Sequence, residues 1–324
     1  MQKDFHYDII YALVKAAGYA DSEAKIIAYA SQYTDDNTDR EYSAFDSHGE
    51  FYVGFPKEIG KSGDLYFPII TQAVNVTAFE LAIQRYVFSP FHFIPGDNDV
   101  TINGKTNHLC TTKGCKNAKD LVQDALSGGD PYRLGIALHT CADTWSHERF
   151  SAFQEDWNRV YNSFIRNLPP NIGHGEVFTK PDEISTKWVD ERFGKKEINN
   201  RDRALEAAEN IFGLINKGKA VWNDMQSDFE KIMSAKDLNE RVNRVNEMYP
   251  EIEGYDEDNW LNEALSFLRD ASEIPEYDPL TGNPKPTRPR FVDISVKDIN
   301  SHWFRFQNAA KKQLAMVLSI TDAL

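Results

Sequence analysis

The chain has 324 residues, 41% of them hydrophobic and 12% aromatic, which is enough apolar surface for a sizeable core in one domain or two. A formal net charge of −14 supplies no basic stripe for a phosphate backbone. Tight binding to duplex nucleic acid is therefore disfavoured, while a small phosphate ester stays open. No run approaches the roughly 18 apolar residues of a membrane span, and the start MQKDFHYDII has neither a basic region nor a cleavage site, so the expected location is the cytoplasm.

Apolar residues at helical spacing, Ile9, Ile10, Leu13, Val14 and Ala17, predict a first helix that begins at His6 and stops at Gly18. Asp21 caps a second helix, SEAKIIAYASQ, which leads into an acidic loop over Tyr33, Thr34, Asp35, Asp36 and Asn37. Residues 38–68 read as irregular, with a short hairpin around EFYVGF. The run ITQAVNVTAFELAIQRYVF exceeds ordinary strand length and is read as a helix ending in the loop SPFHFIPGDND, which presents His92. Helices are expected over 117–127, 130–147 and 148–166, followed by the loop NIGHGEVFTKPDE with His174. Three polar helices with apolar stripes are expected over 199–271, then a Pro-rich connector and a closing helix over 297–322. The expected class is all-α. The chain is read as one domain, 1–324, with a metal-binding helical core over 1–180 and a helical extension over 181–324 that closes on it.

Three cysteines cannot form a disulfide framework. Cys110 and Cys115 flank a TTKG loop and are read as free thiols, and Cys141 as packing. The stretch LGIALHTCADTWSHERF, residues 134–150, carries more chemistry: it places His139, Asp143 and His147 four apart on one helix. At about 100° per residue the three span an arc of about 80°, opposite Leu134, Leu138, Ala142 and Trp145. Imidazole nitrogen and carboxylate oxygen are ligands of Zn²⁺ and related ions. In the competing reading Asp143 merely orients one histidine while the other meets solvent. His6, His92 and His174 sit at a helix start or in Gly/Pro loops, and Asp36 lies among them in order. The chain contains no His-Glu-x-x-His, no Glu-x-x-His and no His-Asp dipeptide.

The order of an N-terminal His, an acidic loop, His-Phe, His-x3-Asp on a helix and two later histidines resembles the zinc-dependent phospholipase C and single-strand nuclease superfamily over roughly residues 1–180. The strings DFHYDIIYALVKAAG, SQYTDD, PFHFIPG and GIALHTCADTWSH also look like an uncharacterised bacterial family of similar length, which brings no established activity. The superfamily resemblance implies a multi-helix core with additional C-terminal helices and a cluster of two or three zinc ions, with Fe or Mn as alternatives. It carries His6 onto the first histidine, Asp35 or Asp36 onto the bridging carboxylate, His92 onto the His-Phe, and His139 with Asp143 onto the helical pair. His147 and His174 fall on the two later histidines.

Two departures stand out. His147 follows Asp143 by four residues where the superfamily steps six, and Phe178 stands four after His174 where the superfamily has an acid, so Glu176 or Asp182 must substitute. In the superfamily the first residue's amine and carbonyl bind zinc. Met1 stands five before His6, as the nuclease branch requires, and bulky Gln2 favours its retention; Asp4 is the rival ligand. His48, His108 and His302 have no place in the pattern, and His48, close after Asp46, is the nearest stray.

The implied chemistry is hydrolysis of a phosphodiester or phosphomonoester by a metal-activated water. Asp36 would bridge and act as general base, and Asp143 would bridge a second pair. An acidic surface without a membrane-binding module weakens a lipase reading, and the lack of interleaved basic and aromatic patches weakens a nuclease reading. A small soluble phosphoester remains. The same ligands would suit a non-hydrolytic Fe or Mn redox protein, or a structural metal site in an interaction protein.

Overall fold

In the computed structural model the described residues are 1–38, 61–62, 65–66, 69–73, 76–96, 100–102, 104–161, 171–194, 196–218, 220–269 and 291–321. They are mostly helical, as expected of an all-α chain, with four short two-stranded antiparallel sheets among them. Among these residues no helix is long and apolar enough to cross a membrane. The chain divides into two compact units, the first comprising Met1–Thr38, Ile70–Tyr255 and Ala309–Leu324, the second Asp39–Ile69 and Asp256–Asn308. Helices from both the 1–180 and the 181–324 parts of the chain belong to the first unit.

The first unit opens with a wide π-helical segment, Asp4–Ile9, running directly into α1 (Ile10–Ala16). The next helix, α2 (Asp21–Asp36), extends through the acidic stretch that was expected to be a loop. Its last turns hold because Tyr33 and Thr34 are buried, which the polar appearance of YTDDN conceals. Residues 70–73 are not helical. Gln72 bridges Thr38 in a parallel pairing, in keeping with the β-branched Ile70 and Thr71. The helix instead begins at α3 (Leu81–Ile83), widens over Gln84–Phe88 and finishes as α4 (Ser89–Phe91), three residues beyond the expected end. A hairpin of β3 (Val100–Ile102) and β4 (Lys105–Asn107), absent from the sequence reading, precedes α5 (Lys116–Gly128).

The central helix, α6 (Pro131–Ser146), starts with Pro131 behind an Asp130 side chain that accepts from the Tyr132 and Arg133 amides. It packs against α2 at Gly135, where an added Cβ would lie 2.4 Å from the Ile27 carbonyl oxygen. Backbones can approach this closely only because Gly135 has no side chain. The expected helix over 148–166 is absent from the described part of that range: Arg149 takes φ 71°, Ser151 bridges Cys110, and one short 3-10 turn covers Asp156–Asn158. A second hairpin pairs β5 (Lys187–Asp190) with β6 (Lys196–Asn199). Then come α7 (Asn200–Ile215), α8 (Trp222–Met233) and α9 (Leu238–Met248). Trp145, Arg133, Arg241, Tyr11, Tyr33, Phe5, Phe91, Phe150 and Phe229 are the largest fully buried side chains of this unit.

In the second unit the backbone forms a hairpin of β1 (Lys61–Ser62) and β2 (Leu65–Tyr66). A short α10 (Asn259–Ala264), a fourth helix where three were expected, gives way at Leu265 to β7 (Leu265–Arg269), paired with β8 (Phe291–Val296). Trp260 stacks on His302 at 5.2 Å, and the buried Ile69 amide donates to Gln307 Oε1 at 2.7 Å. The last helix, α11 (His302–Thr321), of which residues 309–321 belong to the first unit, starts five residues later than expected. His48, the EFYVGF hairpin and the Pro-rich connector lie outside the described residues. All three cysteines are free and buried.

Candidate metal centre

Gly135, His139 and Asp143 form one stripe of α6 at steps of four, so the close approach at Gly135 brings the end of α2 against His139 one turn on. There Asp35 Oδ1 lies 3.7 Å from both His92 Nδ1 and His139 Nε2. Asp143 is the hub. Its Oδ1 accepts from the Met1 ammonium and lies 3.1 Å from His6 Nε2. Its Oδ2 lies 3.2 Å from His92 Nδ1 and 3.2 Å from His139 Nε2. The Met1 ammonium also lies 3.3 Å from Asp182 Oδ1, which is 3.2 Å from His147 Nε2, while Asp182 Oδ2 is 3.3 Å from His174 Nε2. Among the described residues three groups could hold a metal ion: His6 with His139 and Asp143, Asp35 with His92 and His139, and His147 with His174 and Asp182. Within each group one candidate ligand atom per residue lies within 4.8 Å of the others.

Backbone carbonyls fix the tautomers. His92 Nε2–H donates to the Thr71 carbonyl at 2.8 Å, His147 Nδ1–H to the His92 carbonyl at 2.8 Å, and His174 Nδ1–H to the Phe178 carbonyl at 2.7 Å. In each neutral ring the other nitrogen then turns a lone pair toward carboxylate oxygen. A cation among them, or a second proton on each ring, is needed to relieve that repulsion. Protonation meets resistance at His174, one of these rings, and at the neighbouring His6. Burial, the stacked His139 ring at 3.9 Å and the ammonium push His6 down to about 3, and burial likewise lowers His174. For His92 burial also opposes charge, but Asp143 and Asp35 outweigh it and raise the group. His6 Nδ1 and His139 Nδ1 are buried with no hydrogen-bond partner. This donor set of imidazole nitrogens and carboxylates fits zinc, iron or manganese.

Asp143 and Asp182 are held ionised. Burial alone would raise Asp143 and Asp182; His147, the ammonium, His139 and His6 draw Asp143 far below the usual range, and His174, the ammonium and His147 do the same for Asp182. Burial alone would lower the Met1 ammonium, but Asp143, Asp182 and Asp35 raise it to about 11. It occupies a cation's place between two carboxylates.

The chain belongs to DUF6765, a family of unknown function. The family matches residues 1–321. No curated protein and no solved structure matches this DUF6765 chain.

Of the residues singled out from the sequence, Met1, His6, Asp35, His92, His139, Asp143, His147, His174 and Asp182 converge here. Asp36 does not. Its Oδ2 accepts from Gln32 Nε2 at 2.9 Å and from the Tyr255 hydroxyl at 2.7 Å, because consecutive residues at a helix end diverge by about 100°. The carboxylate beside His92 and His139 is that of its neighbour Asp35. His147 is not on the helix face either: α6 ends at Ser146, and His147 caps it at φ −92°, ψ 13°. Glu176 instead accepts from the Val160 and Tyr161 amides, and Asp4 pairs with Arg241.

Asp182 reaches the centre because Phe178 turns the chain at φ 53°, ψ −133°. Gly173 helps to seat this loop, since a Cβ there would lie 2.3 Å from the Phe93 ring, which stacks on His147 at 4.4 Å. His302 stacks on Trp260 in the second unit, and His108 belongs to none of the three groups. Sequence reasoning missed Ser146, whose Oγ lies 3.2 Å from the Met1 nitrogen, and Gln72, whose Nε2 donates to Asp35 Oδ1 at 3.4 Å. The adjacency of Ser146 to His147 was the one available signal.

Proposed function

We propose that this chain is a metal-dependent hydrolase of phosphoesters with a di- or trinuclear site for zinc, with iron or manganese also fitting the donors. One observation carries the reading: of three ligand groups from distant segments, two share His139 and are joined by Asp143, and the third lies across the Met1 ammonium, with three rings oriented by backbone carbonyls. The ordered ligands also resemble the phospholipase C and single-strand nuclease superfamily, which supports a phosphoester as substrate. Bound divalent ions supply two things there, a water acidified toward about pKa 7 and charge to offset that on phosphoryl oxygens.

The chain's own groups do the rest. Asp143, 1% exposed, joins the His6 side of the centre to the His92 side and stays ionised. Asp35, at 25% the most exposed of the three carboxylates, has Oδ1 engaged by Gln72, His92 and His139. Its Oδ2 is the oxygen we assign to accept the proton of the attacking water. His174 and Asp182, 20% and 14% exposed, give the third group contact with solvent and a small phosphoester a way in.

The test couples elemental analysis to turnover on a panel of phosphomonoesters and phosphodiesters. Two or three zinc ions per chain, turnover, and loss of both in His139→Ala support the reading. It falls if metal-replete protein hydrolyses nothing on the panel while His139→Ala retains its metal. Redox-active iron with a coloured protein would favour the non-hydrolytic alternative.

A further inference from the structure

Asp4 lies between Met1 and His6 in sequence, yet its carboxylate is bonded away from Asp143. It is fully buried, its Oδ2 accepts from Arg241 Nε, and its Oδ1 accepts the Phe5 amide at 3.0 Å. Arg241, 2% exposed on α9, also donates from Nη1 to the Ala235 carbonyl at 3.2 Å. Asp4 begins the π-helical segment Asp4–Ile9. That wide turn is rare and is found frequently at functional sites. Relaxing it to α geometry would shift the angle between Met1 and His6, both now aimed at Asp143 Oδ1. A buried ion pair gains little stability over an apolar pair of similar volume, so stability alone does not account for this one.

We propose that Arg241 is a positioning residue: by gripping Asp4 it fixes the π-turn register that sets the Met1 nitrogen and His6 Nε2 on Asp143. The inference rests on the metal reading of the site.

The test replaces both partners with apolar residues, Asp4→Leu with Arg241→Met, and measures bound zinc and metal-free Tm in the full chain. The expected double variant melts within a few degrees of the parent but holds one zinc ion fewer. Arg241→Lys, which keeps the charge and loses the oriented fork, should bind that ion about 10-fold to 100-fold more weakly. Wild-type zinc content and affinity in both variants would overturn the proposal. So would a collapse of metal-free Tm with loss of every ion, which marks a purely structural pair. If the parent chain binds no zinc at all, the metal reading fails and this inference goes with it.

Discussion

Phe178 holds its backbone at φ 53° and ψ −133°, a region that suits glycine, while 68% of the residue is exposed. The conformation is worth its strain because it aims the Phe178 carbonyl at His174 Nδ1 and returns the chain to Asp182. Phe178→Gly should therefore be more stable than Phe178→Ala by about 1 kcal/mol in urea denaturation, since alanine keeps the Cβ clash and glycine does not. Equal midpoints would show that this turn stores no strain. Asp8 offers a second measurement on the same scale. Burial pushes it up to about 7, with Asp4 adding to the rise and Lys3 opposing it, and its Oδ2 is buried without a partner. The folded value lies above the unfolded one, so the folded chain binds the proton more tightly and stability falls as pH rises from 4 to 8. Asp8→Asn should remove that loss. Its advantage over the parent, in metal-free protein, should grow by up to about 4 kcal/mol across this range, and a constant difference between pH 4 and pH 8 would refute the assignment.

At the scale of elements, the contact of α2 with α6 decides whether Asp35 meets His139. Alanine in place of Gly135 would gain about 1 kcal/mol in helix propensity. Its Cβ would meet the Ile27 carbonyl at 2.4 Å and the Ala30 Cβ at 2.6 Å, and overpacking of that kind costs about 1–3 kcal/mol. Because the obstacle is backbone, the cost should win: Gly135→Ala is expected to lower Tm and to weaken zinc binding together as the helices part. An unchanged zinc affinity would show that Asp35 does not depend on this contact. The same helix shows what the sequence could and could not reveal. The four-residue step from His139 to Asp143 is a helical period and was legible, whereas His147 keeps the step but leaves the helix, because α6 stops at Ser146. Asp35 and Asp36 could not be told apart without knowing that α2 runs to its end. Asp182 was one of two candidates until the Phe178 turn decided between them. Nothing local announced the hold of Arg241 on Asp4 across 237 residues, since long-range pairing leaves no periodicity to read.

At the scale of the whole molecule, the centre draws on the N-terminus, the end of α2, the segment after α4, α6 and the loop over residues 174–182. Those segments meet around lone pairs and carboxylates that repel one another unless a cation lies between them. Ions bound only by the folded chain stabilise it by mass action, about 4 kcal/mol when the free ion stands a thousandfold above its dissociation constant. For a chain of this size that corresponds to a Tm shift on the order of 10 °C. Chelation should therefore lower Tm by about that amount, and excess Zn²⁺ should restore it. His147→Ala should recover only part of the shift, because it breaks one group and leaves two. A calorimetric scan with and without chelator checks this directly. Identical melting curves would mean that the convergence of these segments is held by packing and by the Met1 ammonium alone, with no metal ion to organise the site.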